Sequence, residues 1–276
     1  MRSIVLGGLG LILILGPASA RGAELFPDKK LEAAVRKYVF DKRDNDKPLT
    51  EKDVESISTI EAKNAGITNL AGLEKCRSLA LLDLEGNQIA DLKPLAKLNN
   101  LQSLNLAGNK IQDLQPLAGL QRLQYLELSG NQIEQLGPLA KLKSLRSLYL
   151  SRNKIKDLKP VAGLEKLWSL YLASNQIEDL TPLAKLRWLS TLDLTGNRVA
   201  DLKPLAGLTE LRYLMLGQNK ITDLGVLVAM CEKDASGPQR FAPYLNLFLQ
   251  GNPLSDKAKK EQLPKLKKVV RQVVTD

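Results

Sequence analysis

The sequence contains no histidine, and aromatic residues make up only 4% of its 276 residues. The absence of histidine removes the commonest general base, the commonest zinc ligand and the ordinary pH switch. The scarcity of Phe and Trp argues against a conventional globular core, because 44% of the residues are nonetheless hydrophobic and leucine dominates them. No nucleophile–base pair, phosphate loop or metal-ligand spacing is evident. We therefore expect a non-enzymatic protein with no cofactor and no metal.

Long hydrophobic runs are also scarce, and the one that stands out is residues 4–16. Arg2 precedes this run, and the small residues 18–20 follow it, which is the pattern of a secretory signal peptide with its cleavage site. An uncleaved N-terminal anchor is the alternative, although the run is short and glycine-rich for a membrane span. We predict that residues 1–20 are a signal peptide, and that the mature chain is exported to the periplasm or the extracellular space without a membrane anchor.

The strongest positive signal is an asparagine that recurs every 22 residues and closes a phrase of the type LxxLxLxxN. Its seven regular members are Asn87, Asn109, Asn131, Asn153, Asn175, Asn197 and Asn219, and Asn252 resumes the series after an insertion. A repeat of constant length is typical of a solenoid, in which each coil stacks on the one before. One residue type repeated in every coil indicates a structural ladder, because a catalytic site needs different groups that converge.

Each coil combines a strand pattern with a turn pattern, as residues 101–122 show. Leu101, Leu104 and Leu106 lie at the inward positions of a strand, and the residues between them point outward. Pro116 suits the first turn of a short helical segment, and Asp113 is a plausible cap for it. The sequence therefore predicts an α/β solenoid with a parallel concave sheet and short 3₁₀ or helical turns on the convex side.

The two ends of the array carry patterns of their own. Residues 21–56 predict a helical N-terminal cap, with one helix after Asp28 and a second opened by a Thr50–Asp53 capping box. Residues 57–254 form the repeats: a degenerate first coil, seven regular coils over 79–232, an insertion at 233–243 and a last coil. Residues 255–276 predict a basic helical C-terminal cap that begins at Ser255 and ends in a closing strand.

The two cysteines, Cys76 and Cys231, are expected to be unpaired. Seven strand spacings of about 4.8 Å separate them, roughly 33 Å in total, which a disulfide cannot bridge. Cys76 occupies a position that later coils fill with apolar side chains, so we interpret it as a core residue. A redox role for Cys231 is the alternative, but no neighbouring residue in the sequence would activate its thiol.

The N-terminal segment 26–79 followed by LxxLxLxxNxIxDLxPLAxL coils resembles the internalin-type bacterial leucine-rich-repeat proteins. The coil is also similar to the repeats of the protein-phosphatase-1 regulatory subunit. The resemblance covers nearly the whole mature chain and implies a leucine-rich-repeat arc that binds proteins through its concave sheet. We find no wall-sorting motif and no immunoglobulin-like junction in the sequence, and we therefore do not expect host-cell attachment.

The outward strand positions supply the candidate site. Tyr125 stands at the third position of its phrase, and Tyr149 and Tyr171 stand at the fifth position of the next two phrases. Exposed aromatics beside Arg are typical of binding hot spots, although aromatic residues also favour strand faces through cross-strand packing. Our candidate partner-binding residues are Tyr125, Arg146, Tyr149, Trp168, Tyr171, Asp193, Tyr213 and Met215. Asp83, Glu85 and Glu127 mark an acidic end of this face, which we interpret as solvated surface.

The formal charge of +10 is concentrated toward the C terminus, where residues 256–276 hold seven basic and three acidic groups. This cap supports an alternative function, an envelope-associated scaffold that acts through charge, and it leaves a weak contact with an anionic envelope surface open. Nucleic acid is not expected, because no recognition helix or base-stacking platform is apparent. We predict a monomer whose partner is a protein or peptide.

Overall fold

A computed structural model of the protein describes residues 24–276, and the predicted signal peptide, residues 1–20, lies outside the described residues. The central feature is a ten-stranded parallel sheet whose strands follow one another in sequence order. Its strands are β1 Thr59–Glu61, β2 Leu81–Asp83, β3 Ser103–Asn105, β4 Tyr125–Glu127, β5 Ser147–Tyr149, β6 Ser169–Tyr171, β7 Thr191–Asp193, β8 Tyr213–Met215, β9 Asn246–Phe248 and β10 Gln272–Val274. This is the predicted leucine-rich-repeat solenoid, and the fold class is confirmed.

The convex side of each of the first six regular coils is a single 3₁₀ turn. The six turns of the regular coils are Lys93–Leu95, Gln115–Leu117, Gly137–Lys141, Lys159–Val161, Thr181–Leu183 and Lys203–Leu205, each with proline in its first two positions. The predicted aspartate cap acts from one residue further out than expected. Leucine occupies the N-cap position, and Asp113 Oδ1 accepts a hydrogen bond from the N–H of Gln115, the first residue of the turn, at 2.8 Å.

The core is a continuous column of leucine. Within one coil, Leu101, Leu104, Leu106, Leu114 and Leu117 are all almost completely buried, and the same positions are buried in the neighbouring coils. Because each inward side chain stacks on its equivalent one coil away, the core needs one side-chain size repeated, which accounts for the low aromatic content. Both cysteines are unpaired and buried.

The asparagine ladder fastens neighbouring coils together through buried hydrogen bonds. Asn153 Nδ2 donates to the carbonyl oxygens of Leu150 in its own coil and Leu128 in the preceding coil, both at 3.0 Å. Its Oδ1 accepts from the N–H of Ile133, also at 3.0 Å. The other regular members make the same three contacts, so each asparagine satisfies backbone groups that the turn would otherwise leave unpaired.

The N-terminal end is covered by two helices, α1 Lys29–Arg36 and α2 Glu51–Val54. Asp28 caps α1 with one carboxylate oxygen, which accepts from the N–H of Lys30 at 2.9 Å, and its other oxygen accepts from the N–H of Thr68 at 2.8 Å. One carboxylate thus ties the cap to the first coil. Thr50 and Asp53 form the capping box that the sequence indicates.

The C-terminal end departs from the repeat after Leu224, where the sequence pattern also breaks. Helix α3, Gly225–Ala235, replaces the convex turn of the seventh coil, so the boundary placed at 232/233 falls inside a helix. Leu227 and Met230 lie 22 residues after regular leucines, so they fit the coil pattern as well as a helix. Together with buried Cys231 and Asp234, they also have the spacing of one helix face. A helix in this place also buries Cys231, whose thiol has a pKa raised to about 12 by that burial.

The last coil is closed by a π-helical turn, Ala258–Gln262, and helix α4, Leu263–Val269. Ser255 Oγ accepts a hydrogen bond from the N–H of Ala258 at 3.1 Å, and β10 then pairs with β9. Gln262 joins this cap to the seventh coil, because its Oε1 accepts from the N–H of Leu224 at 2.7 Å. No helix within residues 24–276 is long and apolar enough to cross a membrane.

Candidate functional site on the concave sheet

The strand register places the predicted columns side by side on the concave face. Tyr125 is paired with Ser147, and Tyr149 is paired with Tyr171, as the 22-residue spacing requires. The side chains at the third and fifth positions of these strands are partly exposed, whereas the leucine between them is buried. The columns that the alignment defines are therefore physical rows of outward side chains.

Three tyrosines form a contiguous ring cluster, which we call the tyrosine stack: Tyr125, Tyr149 and Tyr171. The ring centroids of Tyr125 and Tyr149 are 5.3 Å apart with the planes tilted by 45°, and those of Tyr149 and Tyr171 are 4.7 Å apart and nearly parallel. Each such pair contributes about 0.5–1.5 kcal/mol beyond burial of its area. The stack therefore holds three half-buried rings in a fixed arrangement before any partner arrives.

Two phenols of the stack, those of Tyr125 and Tyr149, have raised pKa values. Burial, assisted by the nearby Glu127 carboxylate, raises the pKa of Tyr125 to about 12, and burial with the neighbouring Tyr171 raises the pKa of Tyr149. A neutral phenol both donates and accepts hydrogen bonds, and its ring offers apolar contact. The stack thus presents both apolar ring surface and hydroxyl groups.

In four of the coils other than those of Tyr149 and Tyr171, the fifth position has a second role. There it carries Asp, Asn or Glu, and the side chain accepts a hydrogen bond from the N–H two residues later, as Glu127 does from Ser129 at 2.7 Å and Asp193 from Thr195 at 2.9 Å. Tyr149 and Tyr171 have no such acceptor. The N–H groups of Ser151 and Ala173 therefore lack the side-chain partner that their equivalents have.

The acidic end of the face is partly neutralised. Lys63 lies between Asp83 and Glu85, with its Nζ 3.1 Å from one carboxylate and 3.0 Å from the other, and these two partners raise its pKa. Asn105 Nδ2 also donates to Glu85 at 3.2 Å. Two of the three carboxylates of this end, Asp83 and Glu85, are thus paired with a lysine of the first coil. Within residues 24–276, no group of three metal-ligating side chains is close enough to hold an ion.

A second feature lies beside the stack, at the edge of the sheet where the strands begin. We call it the tryptophan groove: Arg146, Ser147, Lys166, Trp168 and Trp188 line an open depression of about 470 Å³. Trp168 and Trp188 are 56% and 59% exposed, which is unusual for residues of this size. Sequence reasoning missed Lys166 and Trp188 because both lie just before the first leucine of their phrases, outside the aligned LxxLxL pattern.

The predicted site residues fall into three groups. Tyr125, Tyr149 and Tyr171 make the stack, and Arg146 and Trp168 line the groove. Asp193, Tyr213 and Met215 lie on β7 and β8, further along the sheet, and Tyr213 is 48% exposed. These last three side chains are not part of either cluster.

A family model that spans two leucine-rich repeats matches the coils of this chain. It matches six overlapping windows, residues 77–119, 99–141, 121–166, 143–185, 165–207 and 187–229. The chain is similar to the crystal structure of an internalin C2 from Listeria monocytogenes, with 38% sequence identity over 75% of this chain and 91% of that one and a TM-score of 0.71. The chain therefore belongs to the leucine-rich-repeat family and, within it, is an internalin-type bacterial protein.

Other solved structures are more distant. An internalin F from the same organism is 26% identical, over 91% of this chain and 92% of that one, with a TM-score of 0.43. The plant peptide hormone receptor RGFR1, in complex with RGF2, is 23% identical over 66% of this chain and 30% of that one, with a TM-score of 0.55, and it shares the fold alone. No curated protein sequence matches this chain. Fold and family together define a protein–protein interaction module.

Proposed function

We propose that this chain is an exported, non-enzymatic protein that binds a protein or peptide segment on its concave sheet, and that it acts as a monomer in the periplasm or outside the cell. The observation that carries the proposal is the tyrosine stack. Three rings packed in series on an otherwise small and polar face, with Tyr149 between the other two, offer a large contact area, and little conformational entropy remains to be lost on binding.

The surroundings of the stack support an extended polypeptide as the partner. Small hydroxyl side chains, Ser147 and Ser169, lie in the row beside Tyr149 and Tyr171, so a chain can approach the sheet closely there. Backbone N–H groups at Ser151 and Ala173 and the neutral phenols supply hydrogen-bond donors for its carbonyl groups. We expect Tyr149 and Tyr171 to be the anchors, with Asp193, Tyr213 and Met215 at the rim.

Affinity capture from a bacterial envelope extract tests this assignment. The mature chain and the Tyr149→Ala/Tyr171→Ala variant are immobilised, and the retained proteins are identified by mass spectrometry. Phe40→Ala/Tyr244→Ala serves as the matched control, because both residues are exposed aromatics outside the stack. We expect the control to retain the wild-type partner and the stack variant to lose it. Equal retention by all three proteins would contradict the proposal.

The basic C-terminal cap supports a second candidate function, that of a scaffold on an anionic envelope surface. All of its cations are exposed: Lys257, Lys259, Lys260, Lys265, Lys267, Lys268 and Arg271. One ion pair, Lys260 with Asp256, is present among them, so most of this charge faces solvent without a carboxylate partner. Binding to anionic vesicles that falls with added salt and survives the Tyr149→Ala/Tyr171→Ala change would favour this candidate.

A further inference from the structure

The tryptophan groove combines two kinds of exposed side chain, the apolar indoles of Trp168 and Trp188 and the positive charges of Arg146 and Lys166. Trp168 directly precedes β6, and Trp188 lies just before β7, the next strand of the sheet. The ring–ring contacts within residues 24–276 are those of the tyrosine stack, so the indoles do not stack on each other. Their faces are therefore open to a ligand. Two large indoles exposed beside one depression form a compact apolar patch of the kind that marks an interaction site.

The charge of the groove is uncompensated. Arg146 and Lys166 supply two positive groups to its lining, and no carboxylate lines it. Neither residue takes part in any of the ion pairs found in residues 24–276. Lys63, at the other end of the face, shows the contrasting arrangement, since it is held between two carboxylates. A carboxylate on a ligand could therefore pair with Arg146 and Lys166, which have no carboxylate partner within the described residues.

The backbone beneath the groove is fixed. The carbonyl of Arg146 accepts hydrogen bonds from the N–H groups of Trp168 at 2.8 Å and Ser169 at 3.1 Å. The carbonyl of Trp168 accepts in the same way from Ser190 at 2.9 Å and Thr191 at 3.1 Å. These rungs of the sheet fix the backbone positions of Arg146 and Trp168 relative to each other, so a ligand has only side chains to order as it binds.

We propose that the tryptophan groove is an anchoring pocket for an acidic and apolar peptide segment, in which an aliphatic or aromatic side chain packs on the indoles and a neighbouring carboxylate pairs with Arg146 and Lys166. This inference rests on the proposed function, because it names the chemistry of the bound polypeptide. Ser147 belongs both to the groove and to the strand of Tyr149, so a peptide that leaves the groove along β5 reaches the stack directly.

Selection from a phage-displayed random heptapeptide library tests the inference and does not require the natural partner. Peptides selected on the wild-type chain are synthesised, and their affinity is measured for Trp168→Ala/Trp188→Ala and for Arg146→Gln/Lys166→Gln. The control variant, Lys141→Gln/Lys185→Gln, removes the same formal charge at exposed positions outside the groove. We expect the selected peptides to pair an apolar residue with Asp or Glu, and to bind each groove variant about tenfold more weakly or worse.

The outcomes separate the groove assignment from the proposed function. Selected peptides that lack an acidic residue, or that bind the groove variants as well as the control, overturn the groove assignment. If such peptides still lose affinity for Tyr149→Ala/Tyr171→Ala, the proposed function survives and only the groove assignment fails. Peptides that depend on the groove but not on the stack support the groove and count against the stack as anchor. Alginate, a polysaccharide that carries carboxylates, is the remaining probe. If alginate binds in a groove-dependent way and no peptide is selected, the proposal that the groove binds a peptide is wrong.

Discussion

Replacing Asn153 by alanine removes one rung from the middle of the asparagine ladder, and the structure allows the cost to be worked out group by group. The carbonyls of Leu128 and Leu150 each lose one of two asparagine donors, because Asn131 and Asn175 also donate to them. The N–H of Ile133 loses its asparagine acceptor and stays buried. The damage is therefore concentrated on one orphaned donor.

An unsatisfied buried donor costs about 1–3 kcal/mol, and bonds lost from groups that keep another partner cost about 0.5–1 kcal/mol each. We expect Asn153→Ala to lower the free energy of unfolding by about 3 kcal/mol, measured by urea denaturation followed by circular dichroism. Because each coil contacts only its neighbours, weakening a central contact should also reduce cooperativity, which would appear as a smaller slope of the unfolding free energy with urea.

Two comparisons make the result decisive. Asn99→Ala makes the same chemical change on an exposed side chain, and we expect a change within about 0.5 kcal/mol. Asn252→Ala removes the last rung, which is only half-buried, so water can replace part of what is lost and the cost should be nearer to about 1 kcal/mol. If Asn153→Ala were no more destabilising than Asn99→Ala, the ladder could not be what fastens the coils together.

Two further predictions follow from shifted pKa values. Burial raises the pKa of both cysteine thiols to about 12, so we expect Cys76 and Cys231 to be inert toward a disulfide reagent at about pH 8 and to react only after unfolding; labelling of the native chain would contradict this. Asp53 is partly desolvated, which raises its pKa, but hydrogen bonds from Lys42 and Thr50 outweigh this and lower it from 3.8 to about 2. A depressed pKa stabilises the fold above about pH 4, and this contribution is lost as pH falls toward about 2. We therefore expect Asp53→Asn to lower the free energy of unfolding by about 1 kcal/mol at about pH 7, because solvent screens this partly exposed group, and by progressively less as pH falls through about 2; a cost independent of pH would refute the linkage.

The sequence was sufficient to predict the solenoid because its repeat is constant in length. Once the asparagines fix the register, every strand position is known, and the pairing of Tyr149 with Tyr171 follows from the spacing of 22 residues. Helix α3 was not predictable in the same way, since Leu227 and Met230 sit where a regular coil would also place apolar residues. The 22-residue spacing continues through these two residues, so it cannot show that the 3₁₀ turn has been replaced by a helix.

The candidate site was predicted in part for a related reason. Alignment shows which residues share a row, but contacts between rows depend on the direction of the side chains, as in the diagonal contact of Tyr125 at a third position with Tyr149 at a fifth. Trp188 was missed because it lies before the strand phrase and reaches the concave edge from the preceding loop. The 22-residue repeat gives the pairing of strands, but it does not give the direction in which a long side chain outside the strand points.

The fifth strand position shows how one substitution changes both the structure and the surface of a coil. In the coils of Glu127 and Asp193, the side chain turns back to its own backbone, so the polar group is used internally. Tyrosine at the same position cannot do this, and it leaves a backbone N–H without that acceptor while it adds a ring to the stack. Tyrosine at this position, in two neighbouring coils, therefore removes an internal contact, adds a ring to the surface and leaves a backbone N–H without its side-chain acceptor. Because Tyr149→Asp would restore the internal bond and remove the anchor together, we expect it to weaken partner binding more than it weakens the fold.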